Sequence, residues 1–207
     1  MYEHTFSIAF PSSSWLDPTA TLAPLLAAYP FDPTCPFGGG YCALTDALGD
    51  QWVYCANKVA MEGLLTQNPQ LQIYGYIDNY ASAVEDVYAQ AQGILGNCQS
   101  KYGVVCHSAE IYLLFNLTIA QPYLSPIDKF ISSVMINSWA NFAYSGNPNH
   151  GVRPLRGPNG NPLFSRFNSS LYLTAIEYPL TGATSYKNFH KQQCDLFSTT
   201  YGYNQYY

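Results

Sequence analysis

The sequence has little charge and no long run of apolar residues. Charged residues make up 10% of the 207 residues, with 8 Lys and Arg against 13 Asp and Glu. Ordinary globular chains average about 25%. Scattered basic residues in a chain of net charge −5 exclude a typical nucleic-acid-binding protein. No stretch approaches the roughly 18 apolar residues of a membrane span. Disorder is also disfavoured, because 48% of the residues are hydrophobic.

Several functional motifs are missing as well. No C-x-x-C or H-x-x-x-H spacing occurs, so we expect neither a metal site nor a cofactor. There is no G-x-S-x-G, the turn that carries a nucleophilic serine. The opening residues, Met1 to Phe6, lack the basic and apolar regions of a secretory signal. We therefore expect either that the numbering starts after processing or that the chain is the later part of a longer protein.

Aromatic residues, cysteines and glycosylation sequences are abundant. The chain has 19 Tyr and 11 Phe, and its six cysteines lie at positions 35, 42, 55, 98, 106 and 194. Two N-glycosylation acceptors occur, Asn116-Leu-Thr118 and Asn168-Ser-Ser170, although a single such sequence often arises by chance. An even number of cysteines together with these acceptors is typical of an oxidising compartment. We expect an extracytoplasmic protein, either secreted or in the endosomal or lysosomal lumen.

The residue pattern predicts an α/β fold in a single domain. Residues 11–48 are rich in Pro and Gly, and we expect a loop there except for a short helix at 22–28. Asp50 looks like the N-cap of a helix that ends near Pro69, and residues 71–77 then alternate as in a strand. A helix followed by a short turn and a strand is the alternation typical of α/β proteins.

The second half of the chain continues this alternation. Ser125 as N-cap, Pro126 at the first helical position and Asp128 in the first turn predict a second long helix, and Gly146 is placed to end it. Residues 170–176 are strand-like, and residues 184–197 favour a last helix.

His107 is the histidine best placed to act as a general base. It is the last residue of the segment 97–107, a loop with Cys98 and Cys106 near its ends, and it precedes an apolar segment. A histidine at a junction between loop and core can be held rigidly by the scaffold. The alternative from the residues alone is a packed loop histidine with no chemical role. Cys106 is adjacent, but the side chains of sequence neighbours usually point apart, so we do not expect a Cys-His dyad.

Four segments, in order along the chain, resemble one family. Residues 107–115 resemble the catalytic-histidine motif H-x-x-E-[IL]-x-x-x-F of type-B carboxylesterases and cholinesterases. Residues 139–149 resemble the family segment W-x-x-F-A-x-x-G-x-P-N. The stretch from Gly49 to Cys55 resembles a Gly-Asp helix start, with the strand at 71–76 after it, and the stretch from Gln193 to Phe197 resembles a late helix with a cysteine.

The resemblance implies an α/β-hydrolase whose triad runs Ser, then Glu or Asp, then His. His107 takes the place of the catalytic histidine. Glu3 stands where the resemblance implies the triad acid, although His4 follows it where the family usually has Gly. Read from the residues alone, Glu3 is a solvated residue near a chain end. Glu110 is expected to be a buried structural acid.

The missing nucleophile defines what part of the family this chain matches. Without G-x-S-x-G, residues 1–207 correspond to the C-terminal portion of a single carboxylesterase domain, a partial central sheet flanked by helices, and the nucleophile-bearing N-terminal portion is absent. The implied activity is hydrolysis of a small-molecule carboxylic ester by a Ser-Glu-His triad, with the chain inactive alone. Its expected partner is the missing portion, or another chain that covers the sheet.

The resemblance also implies a disulfide between Cys55 and Cys194. The other four cysteines then pair most simply with near neighbours, Cys35 with Cys42 and Cys98 with Cys106, out of fifteen possible connectivities for six cysteines. A second functional class remains open, a non-catalytic cholinesterase-like protein with a structural, storage or adhesion role. The Tyr-rich end of the chain, residues 201–207, suits packing against a partner.

Overall fold

A computed structural model describes residues 23–84, 86, 100–103, 105–117, 121–151, 162–167, 172–177 and 185–199. These residues belong to two compact units. The first takes its described residues from Met1–Leu71 and His190–Tyr207, and the second takes them from Gln72–Phe189. Together the units contain helices and a small sheet, so the chain is α/β, as the sequence predicts.

The first unit is helical in its described residues. Its elements are α1 (Ala23–Ala28), α2 (Gly39–Gly49), a π-helical turn (Asp50–Tyr54), α3 (Cys55–Gln67) and, at the end of the chain, α6 (Lys191–Thr199). The short helix α1 lies where the sequence predicts it. The prediction of a loop up to residue 48 is wrong, because α2 occupies its last ten positions.

Glycine at the entrance of α2 explains that error. Gly38 has a left-handed φ of 97°, and a Cβ on Gly39 would lie 2.3 Å from the backbone oxygen of Asp32. The glycines therefore serve a tight entry to the helix rather than a flexible loop. Beyond them, Ala43 and Ala47 are buried at helical spacing and pack in one core with Leu25 of α1.

Asp50 is not the N-cap of a helix. It continues α2 directly into the π-helical turn, which leads into α3 without interruption. The Cys55 backbone N–H donates to the Asp50 carbonyl, and this five-residue step is the bond of a π turn. The prediction of a helix over the following residues is correct, but its proposed start is wrong.

Two disulfides close the first unit. Cys35 is bonded to Cys42, and Cys55 is bonded to Cys194, 139 residues further along the chain. Both pairs are those expected from the resemblance and from proximity. Cys55 and Cys194 are also buried, in a core with Tyr29 and Phe197.

The second unit contains the sheet. Its elements are β1 (Tyr76–Asp78), the 3₁₀ turns Ser100–Tyr102 and Gln121–Tyr123, α4 (Glu110–Leu114), α5 (Pro126–Ser145), β2 (Tyr172–Ile176) and β3 (Ser185–Lys187). The described strands follow the order β1-β2-β3. β1 and β2 are parallel, with Tyr76 opposite Thr174, whereas β2 and β3 are antiparallel. Parallel neighbours need a crossover, and α4 and α5 lie between β1 and β2 in the chain.

The expected strand at 71–77 forms only in part. Ile73 makes an isolated bridge to Phe167, and regular pairing begins at Tyr76. The strand predicted at 170–176 is present over its described residues as β2. The helix predicted over 184–197 starts later than expected, at Lys191, because β3 and a turn come first. Asn188 and His190 both have positive φ in that turn, and such residues cannot continue a helix.

Helix α5 has both ends that the sequence predicts. The Ser125 hydroxyl accepts from the Asp128 N–H at 3.1 Å, and the Asp128 carboxylate accepts from the Ser125 N–H at 2.7 Å, which completes a capping box. Gly146 ends the helix in the left-handed conformation with φ 72°. In the part of the chain that the structure describes, no helix is both long and apolar enough to cross a membrane.

Candidate active site

His107 lies in an exposed turn that leads into α4 in the second unit. The residue before it, Cys106, is disulfide-bonded, whereas its expected partner Cys98 lies outside the described residues. The Ala109 N–H donates to the Cys106 carbonyl at 3.1 Å, which closes the turn around the histidine. An exposed imidazole on a short, hydrogen-bonded turn is accessible to a reacting group from another segment.

The backbone beside His107 is in an unusual conformation. Ser108 has a φ of 68°, in the left-handed region that residues with a Cβ seldom adopt. Its carbonyl accepts from the Ile111 N–H at 3.3 Å, so the conformation is built into the start of α4. Residues held in such regions cost free energy and cluster at functional sites. The conformation of Ser108 thus marks this turn as a constrained segment.

Helix α4 is held against α5 by buried contacts. Ala109 and Leu113 are each 1% exposed, and Leu113 shares a core with Ile131 and Met135 of α5. The Ser132 hydroxyl donates to the Leu113 carbonyl at 2.6 Å, so the last turn of α4 has a partner for a buried carbonyl. A helix of only five residues is not stable alone, and these contacts fix the scaffold that carries His107.

Two carboxylates and a tyrosine lie near one another at β1 and the start of α4. The pKa of Asp78 is raised to about 7, chiefly by burial; a hydrogen bond from the Tyr80 N–H lowers it, and the negative charge of Glu110 makes a smaller upward contribution. Burial also raises the pKa of Tyr76 to about 12, with smaller contributions from Glu110 and Asp78. Glu110 is half-buried, consistent with a scaffold position, and Asp78 was not singled out by the sequence.

The segment from Trp139 to Asn149 has structural roles in the second unit. The Trp139 ring packs edge-on against Tyr76 with ring centroids 4.8 Å apart. Asn149 is buried, and its amide both donates to the Phe164 carbonyl at 2.9 Å and accepts from the Phe164 N–H at 2.7 Å. These two hydrogen bonds pair the N–H and the carbonyl of Phe164, which does not lie in a strand. The motif residues therefore support the sheet and helices around the candidate site.

Some predicted residues cannot be placed. Glu3, the expected triad acid, lies outside the described residues, as do Asn168 and the Thr118 that completes the first glycosylation sequence. Asn116 is described and exposed, in the turn that follows α4. The pairing of His107 with Glu3 therefore stays a prediction.

A second histidine and aspartate meet in the first unit, where the sequence suggested no site. The Nδ1 atom of His190 lies 2.8 and 2.7 Å from the two carboxylate oxygens of Asp50. The Tyr29 hydroxyl donates to the same carboxylate at 2.7 Å. Asp50 is only 4% exposed, so its charge is stabilised by these two partners.

Burial, and then the hydrogen bond to Asp50, raise the pKa of the Tyr29 hydroxyl far above its ordinary value. This cluster holds His190 by one ring nitrogen, as the acid of a catalytic triad holds its histidine. We assign this cluster a structural role. Its signal in the sequence is spacing: Asp50 precedes Cys55 by five residues, and His190 precedes Cys194 by four.

Among the residues that the structure describes, no group of three or more His, Cys, Asp or Glu side chains is arranged to hold a metal ion.

Sequence comparison identifies one family. The model described as Carboxylesterase family matches residues 41–197, which include His107 and most of the chain. No curated protein matches the chain.

Proposed function

The chain belongs to the carboxylesterase family, type B, and from this membership we propose that residues 1–207 form the C-terminal portion of a single α/β-hydrolase domain that hydrolyses carboxylic esters. The observation that carries the proposal is the family match over residues 41–197, because it includes the His107 segment and the late cysteine helix. The parallel pair β1 and β2, with helices between them in the chain, supports a partial central sheet.

In this proposal His107 is the general base and Glu3 is the acid that orients it. The serine of the complete enzyme attacks the ester carbonyl while His107 accepts its proton, and His107 then returns a proton to the leaving alcohol. Glu3 holds the imidazole in the correct tautomer and stabilises the imidazolium. The exposed turn of His107 supports this role, since a serine on another segment can reach it.

The serine and the oxyanion donors come from a nucleophile-bearing N-terminal portion, whether on the same protein or on a second chain. A histidine and a carboxylate without a serine have no covalent route to an acyl-enzyme. The proposal therefore makes residues 1–207 inactive by themselves. The disulfides of the first unit support an extracytoplasmic location for the assembled enzyme.

The test is to co-express the chain with a carboxylesterase N-terminal portion that carries G-x-S-x-G, and to measure ester hydrolysis and labelling by a fluorophosphonate. We expect His107→Gln to abolish both hydrolysis and labelling, because the serine loses its base. Glu110→Gln is the matched control three residues away, and it should leave a large part of the activity. Absence of fluorophosphonate labelling in every complex that contains the chain would contradict the proposal.

A second candidate function is a non-catalytic cholinesterase-like protein with a structural, storage or adhesion role. The Tyr-rich residues 201–207 favour it, because tyrosine side chains suit packing against a partner. The two functions differ in their dependence on His107. An adhesion or packing role survives His107→Ala with unchanged partner binding, whereas the esterase function does not survive this substitution.

A further inference from the structure

The π-helical turn and α3 of the first unit share one exposed face. Its central row consists of residues three and four positions apart, all of them exposed: Val53, Asn57, Ala60, Leu64 and Gln67. Trp52 and Gly63 flank this row and are exposed as well. These residues, with the half-buried Ala56, form the α3 face. The buried residues of α3, Cys55 and Lys58, lie on the other side of the helix.

The α3 face exposes large apolar side chains and carries no charge. Trp52 is 68% exposed and Val53 is 46% exposed at one end of the face, and Leu64 is 49% exposed towards the other end. The amide of Asn57 donates to the Val53 carbonyl at 2.9 Å, so this polar side chain is folded back onto its own helix. Exposed apolar side chains grouped around a tryptophan mark a surface that contacts another molecule.

The α3 face is complementary to itself when two copies lie antiparallel. A two-fold axis midway between Ala56 and Ala60 places Ala56 of one copy opposite Ala60 of the other. The small side chains therefore meet at the centre, where two packed helices approach most closely. The same axis places Trp52 opposite Leu64, so that each large apolar side chain meets another at the ends of the contact.

Gly63 adds a notch that the described part of the chain does not require. It lies in the interior of α3 without a positive φ, and no described atom lies within 4 Å of the position that its Cβ would take. Glycine in a helix interior costs about 1 kcal/mol relative to alanine. The antiparallel arrangement gives this glycine a role, because it places the side chain of Val53 from the other copy opposite the notch.

The lack of charge on the α3 face suits contact between identical chains. Each copy has a net charge of −5, so most symmetric contacts would bring acidic surfaces together. On the α3 face no acidic side chain opposes its own copy. Glu62 borders the face, and its carboxylate is paired within the helix with the Lys58 ammonium at 3.0 Å.

The size of the α3 face indicates how strong the contact can be. Trp52 and Leu64 lie about 18 Å apart along the helix axis, and a helix is about 10 Å wide. Two strips of this size remove roughly 700 Å² of surface from water, whereas stable dimers bury about 1,200 Å² or more. A contact of this area supports a weak and reversible dimer.

From these observations we propose that the α3 face binds a second copy of this chain as an antiparallel, two-fold symmetric helix pair. The dimer is in concentration-dependent equilibrium with the monomer. The contact consists of residues of the first unit, and the proposal goes beyond ester hydrolysis and does not depend on it.

Sedimentation equilibrium of the full chain tests the proposal. We expect a monomer–dimer equilibrium at concentrations up to about 500 μM. Trp52→Glu should weaken the dimer at least about 100-fold, because each dimer loses two tryptophan anchors and gains two charges in an apolar contact. Tyr144→Glu is the matched control, since Tyr144 is 77% exposed on α5, and it should leave the equilibrium unchanged. A chain that stays monomeric, or equal weakening by both substitutions, overturns the proposal.

The antiparallel register is tested by two double variants that differ in one side chain. Ala56→Lys with Ala60→Glu places opposite charges across the two-fold axis, and the dimer should be retained. Ala56→Lys with Ala60→Lys places like charges there, and the dimer should be lost. In a parallel pair like charges meet in both variants, so loss of the dimer in both overturns the antiparallel register.

Two other occupants of the α3 face are distinguished in the same experiments. Protection of Trp52 from hydroxyl-radical oxidation at every concentration, lost on deletion of residues 201–207, would assign the face to this segment of the same chain. Loss of the complex with a carboxylesterase N-terminal portion in Trp52→Glu would assign the face to that portion. Either result overturns the proposal.

Circular dichroism, with mass spectrometry of the Cys55–Cys194 disulfide, checks the fold of every variant. If Trp52→Glu alters the fold, Leu64→Ala takes its place, with an expected weakening of about 10-fold, and an unchanged equilibrium in that variant overturns the proposal. Failure of the esterase proposal appears separately, as absent fluorophosphonate labelling.

Discussion

The two compact units of this protein are stabilised by different kinds of interaction. In the first unit, segments far apart in the sequence are joined by the Cys55–Cys194 disulfide and by the pair of Asp50 with His190. In the second unit, the buried carboxylate of Asp128 collects hydrogen bonds from the Tyr80 hydroxyl, the Ala83 N–H and the Ser125 N–H. The first arrangement depends on covalent chain closure, and the second depends on a buried charge with three donors.

The covalent cross-link that closes most of the chain and the residues of the candidate site therefore lie in different units. The candidate base His107 lies in the second unit, where the pKa of Asp78 is strongly shifted, whereas the first unit contributes cross-links. A redox change should therefore act on the long disulfide of the first unit as well as on the disulfide of Cys106 in the second, and a pH change between about 4 and about 7 should act through Asp78 of the second.

Removal of the long disulfide has the largest expected effect. Cys55→Ser with Cys194→Ser opens a loop of 139 residues, and the chain-entropy model predicts a loss of about 5 kcal/mol in the free energy of unfolding. The matched control is Cys35→Ser with Cys42→Ser, which opens a seven-residue separation and should cost about 2 kcal/mol. Denaturant titration of both variants provides the comparison. Equal losses would show that chain closure is not what stabilises the first unit.

Asp128→Ala is expected to lower the free energy of unfolding by about 3 kcal/mol, because it leaves buried donors without their charged acceptor. Asp128→Asn keeps an acceptor oxygen and should cost less. Asp195→Ala is the control in the first unit, where the side chain is half exposed and paired with Lys191, so its loss should stay below about 1 kcal/mol. Thermal denaturation ranks the three variants, and a control as damaging as Asp128→Ala would refute the special role of the buried carboxylate.

The raised pKa of Asp78 predicts a dependence of stability on pH. Its ordinary value is 3.8 and its value in the folded protein is about 7, so the folded state binds more protons between these pH values. The free energy of unfolding should fall as pH rises from about 4 to about 7, and the contribution should level off above that range. We expect about 2 kcal/mol, since a pKa unit corresponds to about 1.4 kcal/mol and the carboxyl remains partly exposed.

Asp78→Asn provides the check on this profile. The amide does not titrate in this range, so the decline between pH 4 and 7 should flatten in denaturant titrations at several pH values. A variant with the same decline as the wild-type chain would place the titrating group elsewhere.

The smallest expected effect concerns the strained turn beside His107. Ser108→Val should lower the free energy of unfolding by about 1 kcal/mol, because a β-branched residue fits poorly at a φ of 68°. Ser108→Gly should be neutral or stabilising, because glycine adopts that conformation without a steric penalty. Differential scanning calorimetry measures both, and a more damaging Gly variant would show that the Ser108 side chain, rather than its backbone, matters.

Local signals in the sequence were most reliable where a few neighbouring residues decide the structure. The capping box of Ser125 and Asp128 and the terminal Gly146 located both ends of α5, because capping depends on side chains within one turn. Prediction was poorer over residues 39–49. There the glycines suggested a loop. Only Gly38, with its positive φ, and Gly39, which packs closely against Asp32, need to be glycine, and the following alanines form a helix that packs on α1.

The residues in and around the candidate site show the same contrast between local and long-range signals. The motif around His107 was recognisable because its residues are contiguous, and the Carboxylesterase family match includes it. Asp78 could not be singled out, because its shifted pKa arises from burial at β1 and from the charge of Glu110, 32 positions away by number. The pair of Asp50 and His190 was missed for the same reason, since 140 positions separate the two residues.

Composition and contiguous residues were enough to predict the family, the low charge, the α/β alternation, the ends of α5 and the acceptor sequence at Asn116. The contact of the buried Asp50 with His190 and the exposure of Phe115 depend instead on how the chain packs. Burial and electrostatic environment depend on which distant segments pack together, and these are the quantities that shift pKa values and expose or protect a side chain.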